Sequence, residues 1–325
     1  MARTLRDLFL ESTIGTSGQP IMDSLTKRSG ILMTMPIIEA NHKFFHNYIK
    51  SGSLPSGTIR PIGGSITPSY INNTAGKCDL MDFSILQQDD ESLVYHLGGG
   101  RSAQAVIQYF EERYPQYLEG MLQTISKQTI YGTNSTFGND QGWAGLHQYA
   151  KAASLVRQAG GAPGARSTIF VVRWNPAYSA GLLDPAVMDG TSEFMVSNNP
   201  TRMMKITNVT TGAQQPVWSS DHHSNMGLMI ADTGIVSAIS QIDSTHKPTV
   251  AYMTEALQRV HSIRDTANTF IYCCERDYGY LMDLKDAKIQ TTAETKDYNL
   301  LMDFFNNSRI EVDENLLITE TAVLD

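Results

Sequence analysis

Two neighbouring histidines offer the plainest chemistry in this chain. Asp221, His222 and His223 run together, and imidazole beside carboxylate is a metal-ligating combination. Their spacing argues against a shared ion. Adjacent side chains on a strand point to opposite faces, and on a helix they stand about 100° apart rather than one turn apart. The Ser and Asn residues around them predict a solvated loop. Residues 160–167, GGAPGARS, have the glycines of a phosphate-binding loop but lack the Lys of G-x-x-x-x-G-K-[ST]. They also precede a strand-like run, where that motif should follow one. Gly98, Gly99 and Gly100 stand just ahead of a helix-like run, where free N–H groups could take an anion; a hinge is the other reading. Asn134 and Asn208 each open an N-x-[ST] triplet, read as chance spacing in the absence of a secretory leader. Cys78, Cys273 and Cys274 are an odd number with an adjacent pair, a poor disulfide framework, so buried reduced thiols are expected. No serine or carboxylate comes with a base and an orienting partner. The chain is therefore expected to be no enzyme, with no catalytic residue, no cofactor and no metal.

Composition sets the frame for positioning anything at all. The chain has 325 residues, 41% hydrophobic and 18% charged, enough for two or three units of ~100–200 residues each. Its net charge is −8, which argues against nucleic-acid binding as the main task, since phosphates are met by clustered Lys and Arg. The first residues, MARTLRDLFLES, lack the apolar run of a signal peptide. No run of about 18 apolar residues exists to span a membrane, so the protein is expected to be made and used in a cytoplasm.

The most telling element is a coreless stretch, residues 39–82. Strand-like runs at 43–49 and 77–86 flank Gly52, Pro55, Gly57, Pro61, Gly63, Gly64 and Pro68. So many breakers argue against regular structure at the tip, and a long loop without its own core is functional or disordered. Phe44, His46 and Tyr48 would share one face, and Phe45, Asn47 and Ile49 the other. The segment reads as an arm that finds its partner on another copy of the chain. A long helix follows, over about 101–131. Val106, Phe110, Tyr114, Tyr117, Met121 and Ile125 make an apolar stripe of helical period, read as core packing. Ser102 is placed to cap it, and Pro115 should kink or split it. If continuous, about 28 residues span ~42 Å. Further on, the pattern predicts a helix over 143–158, strands over 167–174, 228–239 and 269–274, and helices from Pro248 and over 275–288. Strand material with a turn at 313–315 closes the chain. The fold class is α+β without regular βαβ alternation, and residues 1–38 read as an arm with one or two short helices.

Several stretches carry a family resemblance. They are Met35, Pro36, Ile37, Ile38, Glu39, Ala40 and Asn41, with His46, Leu54, Pro55, Arg60, Gly63 and Gly64 beyond. At the end of the long helix stand Leu118, Glu119, Gly120 and Met121, then Ile130, Tyr131, Gly132 and Thr133. Trp143, Ala144, Gly145, Leu146 and Tyr149 follow, then FVVRWNP at 170–176 and GLLDP at 181–185. Gly227, Leu228, Asp232, Tyr272, Cys273, Leu281 and Asp283 come in order, and Ile310, Asp313, Leu316, Leu317, Thr319 and Glu320 close the pattern. In this order the sequence resembles the major capsid proteins of tailed bacteriophages, in the branch like the coat protein of phage epsilon-fifteen. Met35 stands where the family opens with Leu, Thr133 is inserted before Asn134, and Trp143 replaces Phe. Residues 186–226 match least.

The resemblance implies the Hong Kong ninety-seven phage-type capsid fold. It implies an N-terminal arm (1–40), an extended β-hairpin loop (41–85), a peripheral domain with a long spine helix (86–140 and 265–325) and an axial domain (141–264). It implies a virion shell subunit, assembled in the bacterial host cytoplasm into hexamers and pentamers of an icosahedral head around double-stranded DNA. Portal, scaffolding and cement or decoration proteins would be partners, the packaged DNA would be touched loosely, and no membrane is involved. Phe44, Phe45, Tyr48 and Ile49 are then candidate inter-subunit contacts. Arg60 either pairs with a carboxylate across the interface or is solvated, and Pro115 is the candidate kink of the spine helix. The alternatives are an encapsulin-like shell and a metal-dependent hydrolase using His222 and His223.

Overall fold

The computed structural model describes residues 29–53, 55–57, 59–60, 62–65, 68–133, 142–188, 196–197, 200–207, 214–260, 268–284, 289–291, 303–305 and 308–320. The expected arm before Ser29, both N-x-[ST] triplets and the end of the expected 275–288 helix lie partly or wholly outside these residues.

The spine is the helix Ala103–Tyr131, the third in the described chain (α3), after α1 (Gly30–Thr34) and α2 (Glu91–Leu97). Ser102 caps α3 by accepting from the Ala105 N–H at 3.2 Å, satisfying one of the first-turn donors that no helix can pair internally. Val106, Phe110, Met121 and Ile125 are buried along the expected stripe, joined by Tyr109 and Ile130. The helix runs unbroken through Pro115, so the expected split does not occur; burial of residues on both sides offsets the hydrogen bond that proline cannot donate. At its end the Gly132 N–H returns to the Gln128 carbonyl at 2.8 Å, and the Gln128 amide donates to the Trp143 carbonyl at 2.9 Å. A Cβ on Gly132 would collide with both carbonyls, so only glycine fits there.

Two larger sheets pack around this helix. One has the order β1 (Ile37–Glu39), β7 (Ser179–Leu183), β10 (Gln214–Ile230), β4 (Met81–Asp90), with β8 (Val196–Ser197) and β9 (Thr201–Thr207) also on β10. The other runs β13 (Ile289–Thr291), β14 (Asp303–Phe305), β15 (Ser308–Val312), β12 (Thr269–Cys273), β6 (Ser167–Arg173), β11 (Val236–Ile242), β5 (Val156–Gln158). Strands β6, β11 and β12 read as near-continuous apolar runs because both faces are covered. Ile169, Val171, Ile239 and Ile271 face Met253 and Leu257 of the helix Val250–Arg259, while Phe170 and Val172 face the α3 side with Met121 and Ile125. At ~1.5–3 kcal/mol per buried aliphatic side chain, these two layers dominate the stability of the subunit.

Several expected boundaries move. The 143–158 helix is a short helix, Leu146–Ala152, followed by strand β5. Ser154 takes φ 54°, and the Leu155 N–H bonds the Ala150 carbonyl at 3.1 Å, a left-handed stop made without glycine. The 77–86 run is two strands in different sheets, β3 (Asn72–Asp79) and β4, turning at Leu80. The 228–239 run is likewise the end of β10 and the start of β11, separated by a 3₁₀ turn at Thr233–Ile235. The helix expected over 275–288 runs Glu275–Asp283. The closing strand is only Ser308–Val312; the chain then turns over residues 314–316.

The first and last described segments are held by polar groups. Asp313, fully buried, accepts from Ser29 Oγ at 2.9 Å, the Ile31 N–H at 3.1 Å and the Asn315 N–H at 2.9 Å. Trp174 Nε1 donates to the Tyr272 hydroxyl at 2.6 Å, which bonds Thr34 Oγ1 at 2.5 Å; Thr34 in turn donates to the Gly30 carbonyl at 2.8 Å. Glu320 accepts from Thr168 at 2.6 Å and from the Tyr131 hydroxyl at 2.8 Å. Burial raises the Glu320 pKa, and burial first and Glu320 second raise that of Tyr131.

Candidate inter-subunit surface

The coreless stretch folds as a hairpin of its own, β2 (Phe45–Ser53) against β3. The register pairs Phe45 with Asp79, His46 with Cys78, Tyr48 with Gly76 and Ile49 with Ala75, and shifts by a bulge between Ser51 and Ser53. A side-chain amide starts it. Asn41 accepts from the Asn47 N–H at 2.9 Å and donates to the Asn47 carbonyl at 2.8 Å, copying a strand pair, while the Asn41 N–H donates to His46 Nδ1 at 3.2 Å. That bond puts the His46 proton on Nε2. Desolvation, with His42 second, lowers the His46 pKa.

Among the described residues, the hairpin is bound to its own subunit near its base and through Lys50. Tyr48 lies across the hairpin on Gly76, where any Cβ would overlap its ring, and packs beside Cys78, Leu80, Leu182 and Met229. This is an aromatic side chain covering a strand glycine. Burial raises the Tyr48 pKa, and pushes the Cys78 thiol up to about 11. Lys50 donates to the Ala231 carbonyl at 3.2 Å and stands 3.7 Å from Asp232. Phe45 is half-buried, its ring 4.4 Å from that of His42 and 4.9 Å from Lys77 Nζ.

Of the five expected contact residues, the structure therefore separates two kinds. Phe45 and Tyr48 pack on their own chain, whereas Phe44 and Ile49 are 67% and 76% exposed. Arg60 is exposed at the tip and donates to the Gly64 carbonyl. Sequence reasoning missed Ile59, Ile62, Tyr70 and Ile71, all of which stand in solvent. A signal was present: bulky apolar residues isolated among Gly, Pro and Ser have no neighbours to form a core with. A single exposed isoleucine is ordinary, but several on one projecting element form the kind of apolar surface that marks a protein interface.

The other candidate chemistry resolves differently. His222 and His223 are not in a loop but in the middle of β10, on opposite faces. Their polar neighbours misled because one face of this strand meets tyrosines: the His222 ring lies 5.5 Å from Tyr114 and 5.7 Å from Tyr117. Among the described residues no group of three or more His, Cys, Asp or Glu side chains could hold one metal ion. Cys78, Cys273 and Cys274 are buried and free. Residues 160–167 are the β5–β6 connection, held by Asp243, which accepts from the Ala162, Thr245 and His246 N–H groups at 3.1, 2.8 and 2.7 Å. Gly98 closes α2 rather than opening a site. No helix among the described residues is long and apolar enough to cross a membrane.

A long helix with separated strands fits the α+β capsid fold that the resemblance implies, and comparison with known proteins gives the same fold. The solved structure of bacteriophage Epsilon15 superposes with a TM-score of 0.69 at 17% identity, covering 100% of this chain and 98% of that one. This is the Hong Kong ninety-seven phage-type capsid fold. The bacteriophage JBD30 capsid decorated with minor capsid protein trimers matches with a TM-score of 0.47 at 12% identity, over 95% of this chain and 98% of that one. Microbacterium phage Oxtober96 gives 0.44 at 9% identity, over 70% and 97%. No curated protein sequence matches. The family model of Major capsid protein GP7 matches residues 14–324, nearly the whole chain, and the chain belongs to that family: it is a major capsid protein of a tailed bacteriophage.

Proposed function

We propose that this capsid subunit closes its shell by laying the β2–β3 hairpin on a neighbouring copy. The shell so formed is an icosahedral head of hexamers and pentamers around double-stranded DNA. One observation carries the reading: the hairpin is a two-stranded sheet of its own, with Phe44, Ile49, Ile59 and Ile62 standing in solvent. Covering one such side chain contributes ~1.5–3 kcal/mol. Four on each subunit contribute ~6–12 kcal/mol per contact before association costs, and every copy repeats the contact. Arg60 at the tip suits a carboxylate of the next copy, since the chain carries 33 acidic residues against 25 Lys and Arg. That acidic balance also fits a wall that touches DNA loosely. Strong, salt-dependent DNA binding by the purified subunit would contradict this.

The division into arm (1–40), loop (41–85), peripheral (86–140 and 265–325) and axial (141–264) regions belongs to the same proposal. The seven-stranded sheet takes β6 and β11 from the axial part and β12 and β15 from the peripheral part, so these two regions share one sheet. Pro115 is the point at which the spine helix bends. Portal, scaffolding and cement proteins are the partners such a head needs, and the proposal includes no catalytic role. The test is Ile59→Asp combined with Ile62→Asp. The expected result is folded subunits that sediment as monomers or capsomers where the parent forms shells; shells of unchanged yield overturn the hairpin contact. DNA or protein cargo inside purified particles decides between a phage head and an encapsulin-like store.

A further inference from the structure

The long helix meets two different sheets along its length. After Pro115, Met121, Ile125 and Ile130 enter the large apolar core with Phe170 and Val172. Before it, Val106, Tyr109 and Phe110 pack with Val94 of α2, and toward Tyr114 and Tyr117 the helix lies over polar side chains of the β4–β10 pair. Cross-strand partners there are Ile85 with His222, Gln87 with Ser220, and Asp89 with Trp218. Residues two apart share a face, and the burial of Gln87 and Asp89 against the exposure of Leu86 shows that this face is the covered one. His222 is 1% exposed, between the rings of Tyr114 and Tyr117. Neither of its ring nitrogens has a hydrogen-bond partner among the described residues, and neither do Gln87 Oε1, Trp218 Nε1 and Ser224 Oγ in the same layer. Such a layer holds the helix less firmly than the apolar core beyond Pro115.

We propose that His222 makes the seat of the first half of α3 sensitive to protons: mild acid charges its imidazole and loosens residues 103–117 from the β4–β10 pair while residues 121–131 stay seated. A neutral imidazole has one proton to place, whereas a charged one has two and must lose its hydration. The surroundings offer little to compensate. From the helix come Tyr114 and Tyr117, with Arg113 stacked at 3.8 Å on Tyr109. From β4 come Ile85, Gln87 and Asp89, the last accepting from Gln87 at 3.2 Å. On β10, Ser220 and Ser224 share the face, and Asp221 and His223 point away; the backbone of β8 pairs alongside. Burial lowers the His222 pKa, and Asp221 opposes this only in part.

The sign follows from linkage. A histidine whose pKa in the seated state lies below its free value of about 6.5 binds fewer protons there. The seat is intact above about pH 6.5 and weakens as pH falls toward the seated pKa, by up to about tenfold per pH unit. The test is hydrogen exchange of the full-length unassembled subunit at pH 7 and 5.5, corrected for intrinsic rates, with His222→Gln beside the parent. The expected result is a loss of protection over 103–117 in the parent, at most about tenfold, none over 121–131, and no pH response in the variant. An acid response that persists in His222→Gln, or that spreads evenly along the helix, overturns the proposal. A side-chain NMR titration of His222 in the parent protein stands independent of the variant's folding: a midpoint below 6 supports the proposal, and one at about 6.5 overturns it.

Discussion

Replacing Tyr272 by Phe removes one oxygen atom and almost no volume. The indole N–H of Trp174 can only donate and the Gly30 carbonyl can only accept. The chain of bonds therefore runs in one direction, from Trp174 through Tyr272 and Thr34 to Gly30, over 2.6, 2.5 and 2.8 Å. Tyr272 is fully buried and Trp174 is 2% exposed, so no water replaces the lost hydroxyl. An unsatisfied buried indole N–H costs ~1–3 kcal/mol, and the lost bond to Thr34 adds about 1. The void left by one oxygen is too small to add a large cavity term. Tyr272→Phe should therefore destabilise the unassembled subunit by about 2–4 kcal/mol, read as the shift of the urea midpoint by circular dichroism. Trp174→Phe removes the donor of the same bond, so the double variant should cost less than the sum of the singles by at least ~0.5 kcal/mol. A single-variant cost below ~0.5 kcal/mol, or strict additivity, would refute the idea that this relay holds α1 to the sheet.

Three further outcomes follow from the same geometry. Gly76→Val forces the Tyr48 ring off the hairpin, at a cost of ~1–3 kcal/mol, and should raise amide exchange over residues 45–53 while leaving α3 unchanged. Asp243 has its pKa held well below the usual carboxylate range by bonds from the His246 N–H and the Thr245 hydroxyl. It therefore contributes stability that is present above the unfolded pKa of about 3.9 and lost as pH falls through the folded one. Asp243→Asn should lower the urea midpoint at pH 6, with the gap to the parent closing in strong acid; a gap independent of pH would be contrary. Cys78, with its thiol pushed up to about 11 from 9.0, should react with iodoacetamide at pH 8 on the order of a hundredfold more slowly than an unperturbed thiol. Rapid labelling of the folded subunit would contradict its burial.

The sequence made the long helix legible because cap and period agree: Ser102 and the stripe from Val106 to Ile125. Strands β6 and β12 were legible for a similar reason, as short β-branched and aromatic runs buried on both faces. What could not be read was set by tertiary contacts. Trp143 and Leu146 are apolar because they close the end of α3, and that burial mimics a longer helix. Nothing local marks Leu80 as the corner between two sheets; its N–H is taken by the Phe44 carbonyl at 2.9 Å, far away in sequence. His222 looked solvated because Ser, Asn and Asp surround it, yet alternate side chains of that strand face tyrosines. At the surface, the breakers of the hairpin were plain, but which aromatic turned inward was not. Tyr48 is drawn in by Gly76 across the hairpin, and Phe44 is left out.

The central claim is that the hairpin tip joins one subunit to the next. Its most direct measurement is electron microscopy of particles formed by the parent beside Ile59→Asp with Ile62→Asp, with sedimentation of the same samples. The account predicts closed shells from the parent, and from the variant folded subunits of unchanged circular dichroism that stop at monomers or capsomers. Normal shells from the variant would contradict it.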